Sequence, residues 1–424
     1  MVESHTDPRP DDLVHEGEGM TDEPRIVADG TVTSPKGFVA GSAYAGIKTY
    51  AKDKWDLGIL VSERACVTVG VYTQNKFVSP SVTLTRQNVD AGRVRGLVVS
   101  SGIANTGVGA QGMVDAKETV ALAAAQAGLD PDEMIIGTTG VIGVELPMAL
   151  IRSGIPSIKT GRDGGEQFAR AILTTDRVPK SAAVQLQLGG KKVTIGGCAK
   201  GSGMIHPNMA TMLAYLTTDA NVERRFLAAA LTEVVADTFN MVDIDGDVST
   251  NDMVVLFANG AAGNKPVAAG SAEAQAFVEA LAVLSRYLSA ELVRDAEGSA
   301  KIFTVHVEGA RSREDARLAA RAVASSTLVK AAIHGSDPNW GRAICAVGYS
   351  GADVDVDKVS FFINDVAIME AGTPISFHRE AVIAIMNNPE VSLTVKLGIG
   401  DGTATAWGCE LTEGYVQFNS AYTT

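Results

Sequence analysis

The stretch KGSGMIHPNMATMLAYL, residues 200–216, joins a glycine-rich loop to an apolar strand. Its glycines and proline predict an irregular loop, and the apolar run Met212–Leu216 predicts a buried strand. Thr211 therefore lies at the mouth of a strand, directly after the small residue Ala210. A threonine hydroxyl that attacks the preceding carbonyl needs a bent peptide and a small neighbour, so this junction is compatible with self-cleavage. A threonine that only favours β-structure fits the same pattern.

Strand and helix patterns continue on both sides of this junction. Further apolar runs that predict buried strands are Leu57–Val61, Val67–Tyr72, Leu97–Val99, Met134–Ile136, Val184–Leu188, Val193–Ile195, Met253–Phe257 and Leu393–Leu397. Apolar residues spaced three or four apart predict helices over Val114–Ala127, Phe226–Phe239, Ala272–Ala290 and Arg313–Ala324. Because strand pairs are mixed with helices, the order favours a layered α/β or α+β fold over strict βαβ alternation.

The bulk composition indicates a folded chain with an acidic N-terminal tail. The 424 residues, 46% of them hydrophobic, are enough for two or three packed domains. Residues 1–34 are rich in acid, proline and glycine, which predicts a disordered tail. The net charge of -13, without a cluster of lysine or arginine, argues against nucleic acid or an anionic membrane as a partner.

The four cysteines are too far apart for a zinc site or a redox pair. They are Cys66, Cys198, Cys345 and Cys409. Free thiols in a reducing compartment are the simplest interpretation. Because we find neither a membrane-length apolar run nor a signal-peptide pattern, the sequence predicts a soluble cytoplasmic protein.

A glycine motif at residues 107–112 has the GxGxxG spelling of a dinucleotide-binding turn. Asn105 and Thr106 separate it from the preceding strand, and the next strand ends in Gly137-Thr138-Thr139 rather than in an acid for the ribose. The motif therefore favours a strand-to-helix turn over a nucleotide site. An oxidoreductase remains the alternative of a different class.

Asp243, Asp245 and Asp247 imitate the start of a calcium loop. The loop fails at Val248, where a glycine is needed, and at Val254, where a glutamate should bind the ion. The sequence favours a solvated turn here, and a negative surface or the path of a cationic substrate are the alternatives.

Residues 200–213 closely resemble the cleavage-site signature of the ornithine acetyltransferases, also called glutamate N-acetyltransferases. Other blocks follow in the family's order across residues 37–424. They are Gly137–Gly143, Thr174–Asp176 with Pro179–Lys180, Asp243–Asp252, Asp295–Gly298 with Lys301, Ser336–Arg342 and Asn419–Thr424. These blocks are long and unusual, so the resemblance is specific and covers nearly all of the chain.

The resemblance implies a self-processing acetyltransferase of arginine biosynthesis. Cleavage between Ala210 and Thr211 would give an α chain, residues 1–210, and a β chain, residues 211–424. Thr211 would then be the nucleophile, and its new amine would be the general base. Thr139 and Gly140 would form the oxyanion hole. N-acetylornithine would donate the acetyl group and glutamate would accept it, in a ping-pong reaction.

The resemblance also implies which residues bind the substrates. Thr174, Asn419 and Thr424 would hold the amino-acid portion. Lys200 would bind a substrate carboxylate or tune the Thr211 amine. Glu297 would orient the substrate amine or relay protons to it. No cofactor and no metal are implied, and acetyl-CoA is left open as a second acetyl donor.

The fold implied by the resemblance is a layered α-β-β-α sandwich, similar to that of N-terminal-nucleophile hydrolases, with a smaller α+β C-terminal domain. We expect a catalytic α/β core over residues 35–290 and a C-terminal domain over residues 291–424 that contributes to the site. The α and β chains would form a heterodimer, and two heterodimers an α2β2 heterotetramer.

Two further classes of protein compete with the transferase. The first is an amidase or aminopeptidase of the same self-processing fold, which would pass its acyl group to water. The second is a binding protein without enzymatic activity, which would leave the chain intact. Hydrolysis without glutamate would identify the amidase, and an uncut chain after storage would favour the binding protein.

Overall fold

The computed structural model describes residues 24–27, 29–48, 52, 54–206 and 212–421. The strands of this part are β1 (Arg25–Val27), β2 (Phe38–Ala43), β3 (Leu57–Ser62), β4 (Val67–Tyr72), β5 (Gly96–Ile103), β6 (Met134–Val141), β7 (Lys180–Leu188), β8 (Lys191–Lys200), β9 (Leu213–Thr218), β10 (Val242–Asp243), β11 (Met253–Ala258), β12 (Ile302–Ala310), β13 (Ser360–Ile363), β14 (Val366–Glu370), β15 (Thr373–Pro374), β16 (Glu390–Lys396) and β17 (Gly402–Cys409). The helices are α1 (Pro80–Ala91), α2 (Gln111–Ala127), α3 (Met148–Gly154), α4 (Gly165–Ala171), α5 (Arg224–Asp237), α6 (Ala274–Arg294), α7 (Arg313–Ser325), α8 (Thr327–His334), α9 (Trp340–Tyr349), α10 (Arg379–Met386) and α11 (Glu413–Ala421).

Two sheets pack face to face in the first part of the chain. One has the order β1-β7-β8-β9-β11-β4 and the other the order β2-β3-β5-β6. Between them lies an apolar core to which Leu97 and Val99 contribute from the smaller sheet, and Tyr215 and Val255 from the larger one. The alternation of side chains along each strand supplies this inner face and leaves the other face for helices.

Helices cover both outer faces of this pair of sheets. Helices α2 and α3 pack on the four-stranded sheet, and α5 and α6 pack on the six-stranded one. The predicted layered α/β sandwich is therefore confirmed.

A third sheet, with the order β10-β17-β12-β16-β13-β14-β15, lies in the C-terminal part together with α7–α11. Helix α6 contacts both β7 and β17, so one apolar core runs continuously from the sandwich into this sheet. The expected smaller α+β part is present. The domain boundary at residue 290 stays a prediction, and the short strand β10 already belongs to the C-terminal sheet.

The six-stranded sheet is built from both sides of the segment 207–211. Strands β9 and β11, which follow that segment, lie between β8 and β4, which precede it. β8 and β9 are antiparallel, with Lys200 opposite Leu213. β9 and β11 are parallel, with Leu213 opposite Met253.

The predicted strands and helices are confirmed, with ends that shift by a few residues. The disordered tail predicted over residues 1–34 is wrong for its last part. Arg25–Val27 pair with β7 at the edge of the six-stranded sheet, and Val32 is fully buried. Composition averaged over the whole tail hides these few apolar residues, which complete an edge of the core. Residues 1–23 and 28 lie outside the described residues.

All four cysteines are free thiols, as the sequence predicts. In the part of the chain that the structure describes, no helix combines the length and the apolar character needed to cross a membrane.

Candidate active site

The candidate site begins where three strands of the larger sheet meet at one end. β8 ends at Lys200, β9 begins at Leu213, and β11 begins at Met253, and these three residues are register neighbours. Met212 is the residue just before β9. Ala210 and Thr211 belong to the segment 207–211, which lies outside the described residues.

Lys200 connects this strand end to the other sheet. Its side chain is almost fully buried, with 3% of the residue exposed. Its Nζ lies 3.4 Å from the Oγ1 atom of Thr139, a buried residue on β6. Thus the residue expected to tune Thr211 and the residue expected to form the oxyanion hole are in contact across the sandwich.

A buried cluster of charges surrounds Lys200. Asp176 Oδ2 lies 4.0 Å from Lys200 Nζ, and Asp176 Oδ1 lies 2.6 Å from Lys180 Nζ. Lys180 Nζ also lies 2.6 Å from Asp295 Oδ2. Burial alone would raise the pKa of Asp176, but the Lys180 and Lys200 ammonium groups hold it well below its usual value. Burial lowers the pKa of Lys200, and the Asp176 carboxylate opposes that effect.

Gly201 and Ser202, which follow Lys200, form hydrogen bonds with residues of two other predicted site segments. The amide of Gly201 donates to Asp176 Oδ1 at 2.6 Å. The hydroxyls of Ser202 and Thr175 lie 2.7 Å apart. The carbonyl of Ser202 accepts from the Glu297 amide at 2.8 Å.

Thr174 and Gly203 complete these contacts. Thr174 is held by its amide, which donates to Asp176 Oδ2 at 3.1 Å. A β-carbon at Gly203 would lie only 2.5 Å from Glu297 Oε2, so a larger residue there would displace the carboxylate from this position. The loop after Lys200 therefore contacts both the turn that is expected to hold substrate and the segment that carries Glu297.

Glu297 and Asn419, two predicted substrate residues, also lie together. Asn419 Nδ2 donates to Glu297 Oε2 at 3.0 Å, from an exposed position on α11. The turn that holds Glu297 packs closely on the start of α11, where a β-carbon at Gly298 would lie 2.5 Å from the Tyr415 amide nitrogen. Thr424, the remaining predicted substrate residue, lies outside the described residues.

The predicted oxyanion segment is held by side-chain hydrogen bonds in addition to those of the sheet. Asn251 Nδ2 donates to the carbonyl oxygens of Ala104, at 2.7 Å, and Thr138, at 2.9 Å. Gly140 has a φ of 126°, and a β-carbon there would lie 2.2 Å from the carbonyl carbon of Gly102. Only glycine fits this approach of two backbones.

Asp252 holds the residue that follows Thr211. Its Oδ1 accepts the Met212 amide at 3.0 Å, and only 1% of the residue is exposed. Burial raises the pKa of this carboxyl well above its usual value, and the Lys200 ammonium opposes the rise. Within the described residues, Asp252 Oδ2 has no hydrogen-bond partner.

The prediction of a solvated turn at Asp243–Asp247 is wrong for Asp243 and Asp245. The Asp243 side chain is fully buried, with Lys330 Nζ 2.9 Å from its Oδ1 and His206 Nδ1 2.7 Å from its Oδ2. Asp245 accepts the amides of Met204, at 2.6 Å, and Ile205, at 2.9 Å. These acids hold the chain before residue 207, whereas Asp247 is exposed.

The glycine motif at residues 107–112 forms the turn between β5 and α2, as the sequence favours. Gly107 and Gly109 have positive φ angles of 73° and 63°.

The structure also reveals two residues at the candidate site that the sequence analysis did not identify. Asp252 belongs to a matched block, but its role depends on the register of β9 and β11. Lys48, whose Nζ donates to the Ser101 hydroxyl beside Thr139 and to the Leu173 carbonyl, lies in no motif, and no sequence signal marks it.

The comparisons with known proteins agree over nearly the whole chain. A profile of the ArgJ family matches residues 39–424. The arginine biosynthesis bifunctional protein ArgJ of Symbiobacterium thermophilum is 48% identical over 397 residues, which cover 93% of this chain and 99% of that protein. The protein of the same name from Dehalococcoides mccartyi is 43% identical, and the match covers 94% of this chain and 98% of the relative.

Among solved structures, the arginine biosynthesis bifunctional protein argJ of Bacillus halodurans is 39% identical. That match covers 49% of this chain and 98% of the other, with a TM-score of 0.48. The family profile and the identity of the full-length relatives are each sufficient to assign the chain. It belongs to the ArgJ family and is an acyltransferase of arginine biosynthesis.

Proposed function

We propose that this chain cuts itself between Ala210 and Thr211 and then carries an acetyl group on Thr211 from N-acetylornithine to glutamate. The contact of Lys200 with Thr139 carries the proposal. It joins the expected oxyanion segment of one sheet to the strand end of the other, where Met212 is held.

Self-cleavage comes first because it creates the base. The Thr211 hydroxyl attacks the Ala210 carbonyl, the peptide nitrogen leaves, and water hydrolyses the resulting ester. Thr211 then carries a free α-amine, whose reference pKa of ~7.7–8.0 suits proton transfer near neutral pH. The buried carboxyl of Asp252 fixes the peptide on the C-terminal side of this residue.

Acetyl transfer follows in two half-reactions. The amine takes the hydroxyl proton while the Thr211 oxygen attacks the acetyl carbonyl of N-acetylornithine. The tetrahedral oxyanion is stabilised by donors at Thr139 and Gly140, and the adjacent Lys200 ammonium adds favourable charge. Ornithine leaves with a proton, and the acetyl ester of Thr211 remains. The amine of glutamate then attacks this ester and releases N-acetylglutamate.

The remaining residues hold the amino-acid portion. Asn419 and Glu297, which are hydrogen-bonded to each other, face the substrate amine from one side. Thr174 contributes from the turn that Asp176 anchors on the other side, and Thr424 completes the set. Because this group of side chains supplies the whole reaction, we assign no cofactor.

Three finer assignments belong to the same proposal. We keep acetyl-CoA as a candidate second acetyl donor. The α and β chains form a heterodimer and then an α2β2 heterotetramer. The enzyme works in the cytoplasm, where its four free thiols stay reduced.

The mass of the purified protein tests the proposal most directly. We expect two fragments with the β chain starting at Thr211, formed without added protease. Thr211→Ala should stay whole and inactive because it lacks the hydroxyl. Thr211→Ser keeps a hydroxyl and should cut slowly and retain part of the transfer activity. Normal acetyl transfer by an intact Thr211→Ala chain would disprove the mechanism.

The acceptor distinguishes the transferase from an amidase. With N-acetylornithine alone, the proposed enzyme should release about one ornithine per active site and then stop. Glutamate should restart ornithine release and appear as N-acetylglutamate. Sustained release of acetate without glutamate would identify the amidase instead.

A further inference from the structure

Lys48 brings a second ammonium group to the site. Its Nζ donates to Ser101 Oγ at 3.2 Å and to the Leu173 carbonyl at 3.0 Å. Ser101 lies on β5 directly opposite Thr139 on β6. Leu173 immediately precedes Thr174. Lys48 therefore connects the strand beside the oxyanion segment to the turn that is expected to hold substrate.

The backbone just before Lys48 is held by a buried carboxylate. The fully buried Asp56 carboxylate accepts the amides of Ala45, Gly46 and Ile47 at 2.7, 2.9 and 2.7 Å. Three successive amides on one carboxylate fix the backbone just before Lys48. The ammonium is thus positioned by the fold, unlike that of an ordinary surface lysine.

The charge of Lys48 is not used by the two groups that it contacts. Both acceptors, a hydroxyl and a carbonyl, are uncharged. Burial lowers the pKa of Lys48 to about 8, an effect that the Asp56 and Asp176 carboxylates oppose and the Lys200 and Lys54 ammonium groups reinforce. Since Lys200 and Asp176 act on it, Lys48 belongs to the same electrostatic environment as the site.

We propose that Lys48 is a specificity-determining residue whose ammonium binds the side-chain carboxylate of the acceptor glutamate. This inference rests on the proposed function. Lys200 and Lys48 contact Thr139 and Ser101, which are register partners, so two cations lie side by side. Glutamate has two carboxylates to match them, whereas N-acetylornithine has one carboxylate and a cationic side chain.

A lysine also suits a pocket that receives substrates of opposite side-chain charge. With glutamate bound, the protonated amine pairs with the carboxylate. With N-acetylornithine bound, the amine releases its proton to solvent and no longer repels the substrate ammonium. An arginine could not lose its charge when N-acetylornithine binds, because its guanidinium stays protonated at any working pH.

Steady-state kinetics of the cleaved enzyme at pH 7.5 test this inference. Lys48→Met should raise KM for glutamate by about 10-fold or more, the usual effect of losing a hydrogen bond to a charged group. It should leave KM for N-acetylornithine nearly unchanged. Lys48→Arg should do the reverse and raise KM for N-acetylornithine. Lys54→Met, which removes a nearby exposed charge, is the matched control and should change neither constant.

The pH dependence separates recognition from a purely structural role. Lys48 is charged below its pKa and neutral above it, so the KM ratio of Lys48→Met to wild type for glutamate should fall towards one as pH rises through about 8. The substrate amine and the Thr211 amine titrate equally in both proteins, so they cancel in this ratio.

Three results would overturn the inference: equal changes in both KM values, a change in kcat alone, or a pH-independent ratio. If Lys48→Met does not fold or cleave, Lys48→Arg is measured in its place. Unchanged KM values of Lys48→Arg for both substrates would contradict the proposal. A wild-type protein that transfers no acetyl group would instead refute the proposed function, so the two failures can be distinguished.

Discussion

At the scale of single residues, two buried aspartates near the site have opposite electrostatic behaviour. Asp176 lies among lysines, and its pKa is held below the usual value despite burial. Asp252 accepts the Met212 amide, and burial raises its pKa well above the usual value. The first carboxylate is stabilised as an anion, whereas the second favours its protonated form.

Asparagine substitutions should therefore affect stability in different ways. Asp176→Asn leaves two buried lysines without their shared anion and should cost about 3–5 kcal/mol of unfolding free energy. Asp252→Asn keeps an oxygen for the Met212 amide and removes a poorly solvated carboxyl, so stability at pH 7 should stay the same or rise. Denaturation of the uncut Thr211→Ala background measures both changes, and equal losses would contradict this assignment.

The same pair predicts how stability changes with pH. The contribution of Asp176 is complete above its unfolded pKa of ~3.9 and is lost as pH falls below it, so Asp176→Asn should flatten the acid side of the curve. The contribution of Asp252 to stability changes with pH in the opposite direction. Because its pKa is raised in the folded state, folding becomes less favourable as pH rises towards that pKa. Asp252→Asn should instead flatten the curve above the unfolded pKa of ~3.9, where the folded state keeps a proton that the unfolded state releases.

Thr139 is the residue at which the proposed stabilisation of the oxyanion can be tested. Thr139→Ala should lower kcat by about 10²–10³-fold, with a smaller change in KM, because an oxyanion donor acts mainly on the transition state. Cleavage at Ala210 should slow as well, since it passes through its own oxyanion. Fully cleaved Thr139→Ala protein should therefore be prepared before kcat is compared. A kcat close to that of the wild type would remove Thr139 from the site.

At the scale of elements, β5 and β6 approach too closely at Gly102 and Gly140 for a side chain at position 140. Gly140→Ala should place its β-carbon against the Gly102 carbonyl, push the strands apart and abolish activity. Gly143→Ala is the matched control, because Gly143 also has a positive φ, 82°, but meets no atom within 4 Å. The control should lose only about 1–2 kcal/mol, the usual strain of a left-handed residue. Thermal melting and kcat of both variants test this difference.

The sequence predicts elements well where apolar residues form uninterrupted runs. β4 is predicted over its full length, and β9 and β11 to within a few residues. Every residue of β9 and β11 is buried, whereas in β4 only Thr68 and Val69 are. β2 was not predicted because its sequence, FVAGSA, is short of large apolar residues and depends on pairing with β3.

Some residues of the candidate site can be predicted from local sequence, whereas others depend on contacts between distant parts of the chain. Thr139, Lys200, Glu297 and Asn419 lie in recognisable blocks, and the structure brings them together in two pairs. Lys48 could not be predicted, because its place beside Ser101 results from a contact between residues 53 positions apart. Sequence patterns report local periodicity, whereas such contacts depend on the order of the strands.

At the scale of the whole molecule, the proposed covalent acetyl carrier would fix the order of substrate binding and release. Ornithine must leave before glutamate is acetylated, so initial rates at several fixed glutamate concentrations should give parallel double-reciprocal lines. N-acetylornithine and glutamate should also compete for the free enzyme at high concentration. Intersecting lines would indicate a ternary complex and would rule out the covalent carrier.

Strands β9 and β11 lie between β8 and β4, and this order affects how the protein would refold before and after cleavage. The uncut chain needs to find this strand order only within itself, which is a first-order process. Once the chain is cut, the same sheet would have to be rebuilt from two separate polypeptides, at a rate that depends on their concentration. Maturation would thus exchange a protein that can recover from unfolding for one whose native state, when lost in dilute solution, is regained only slowly.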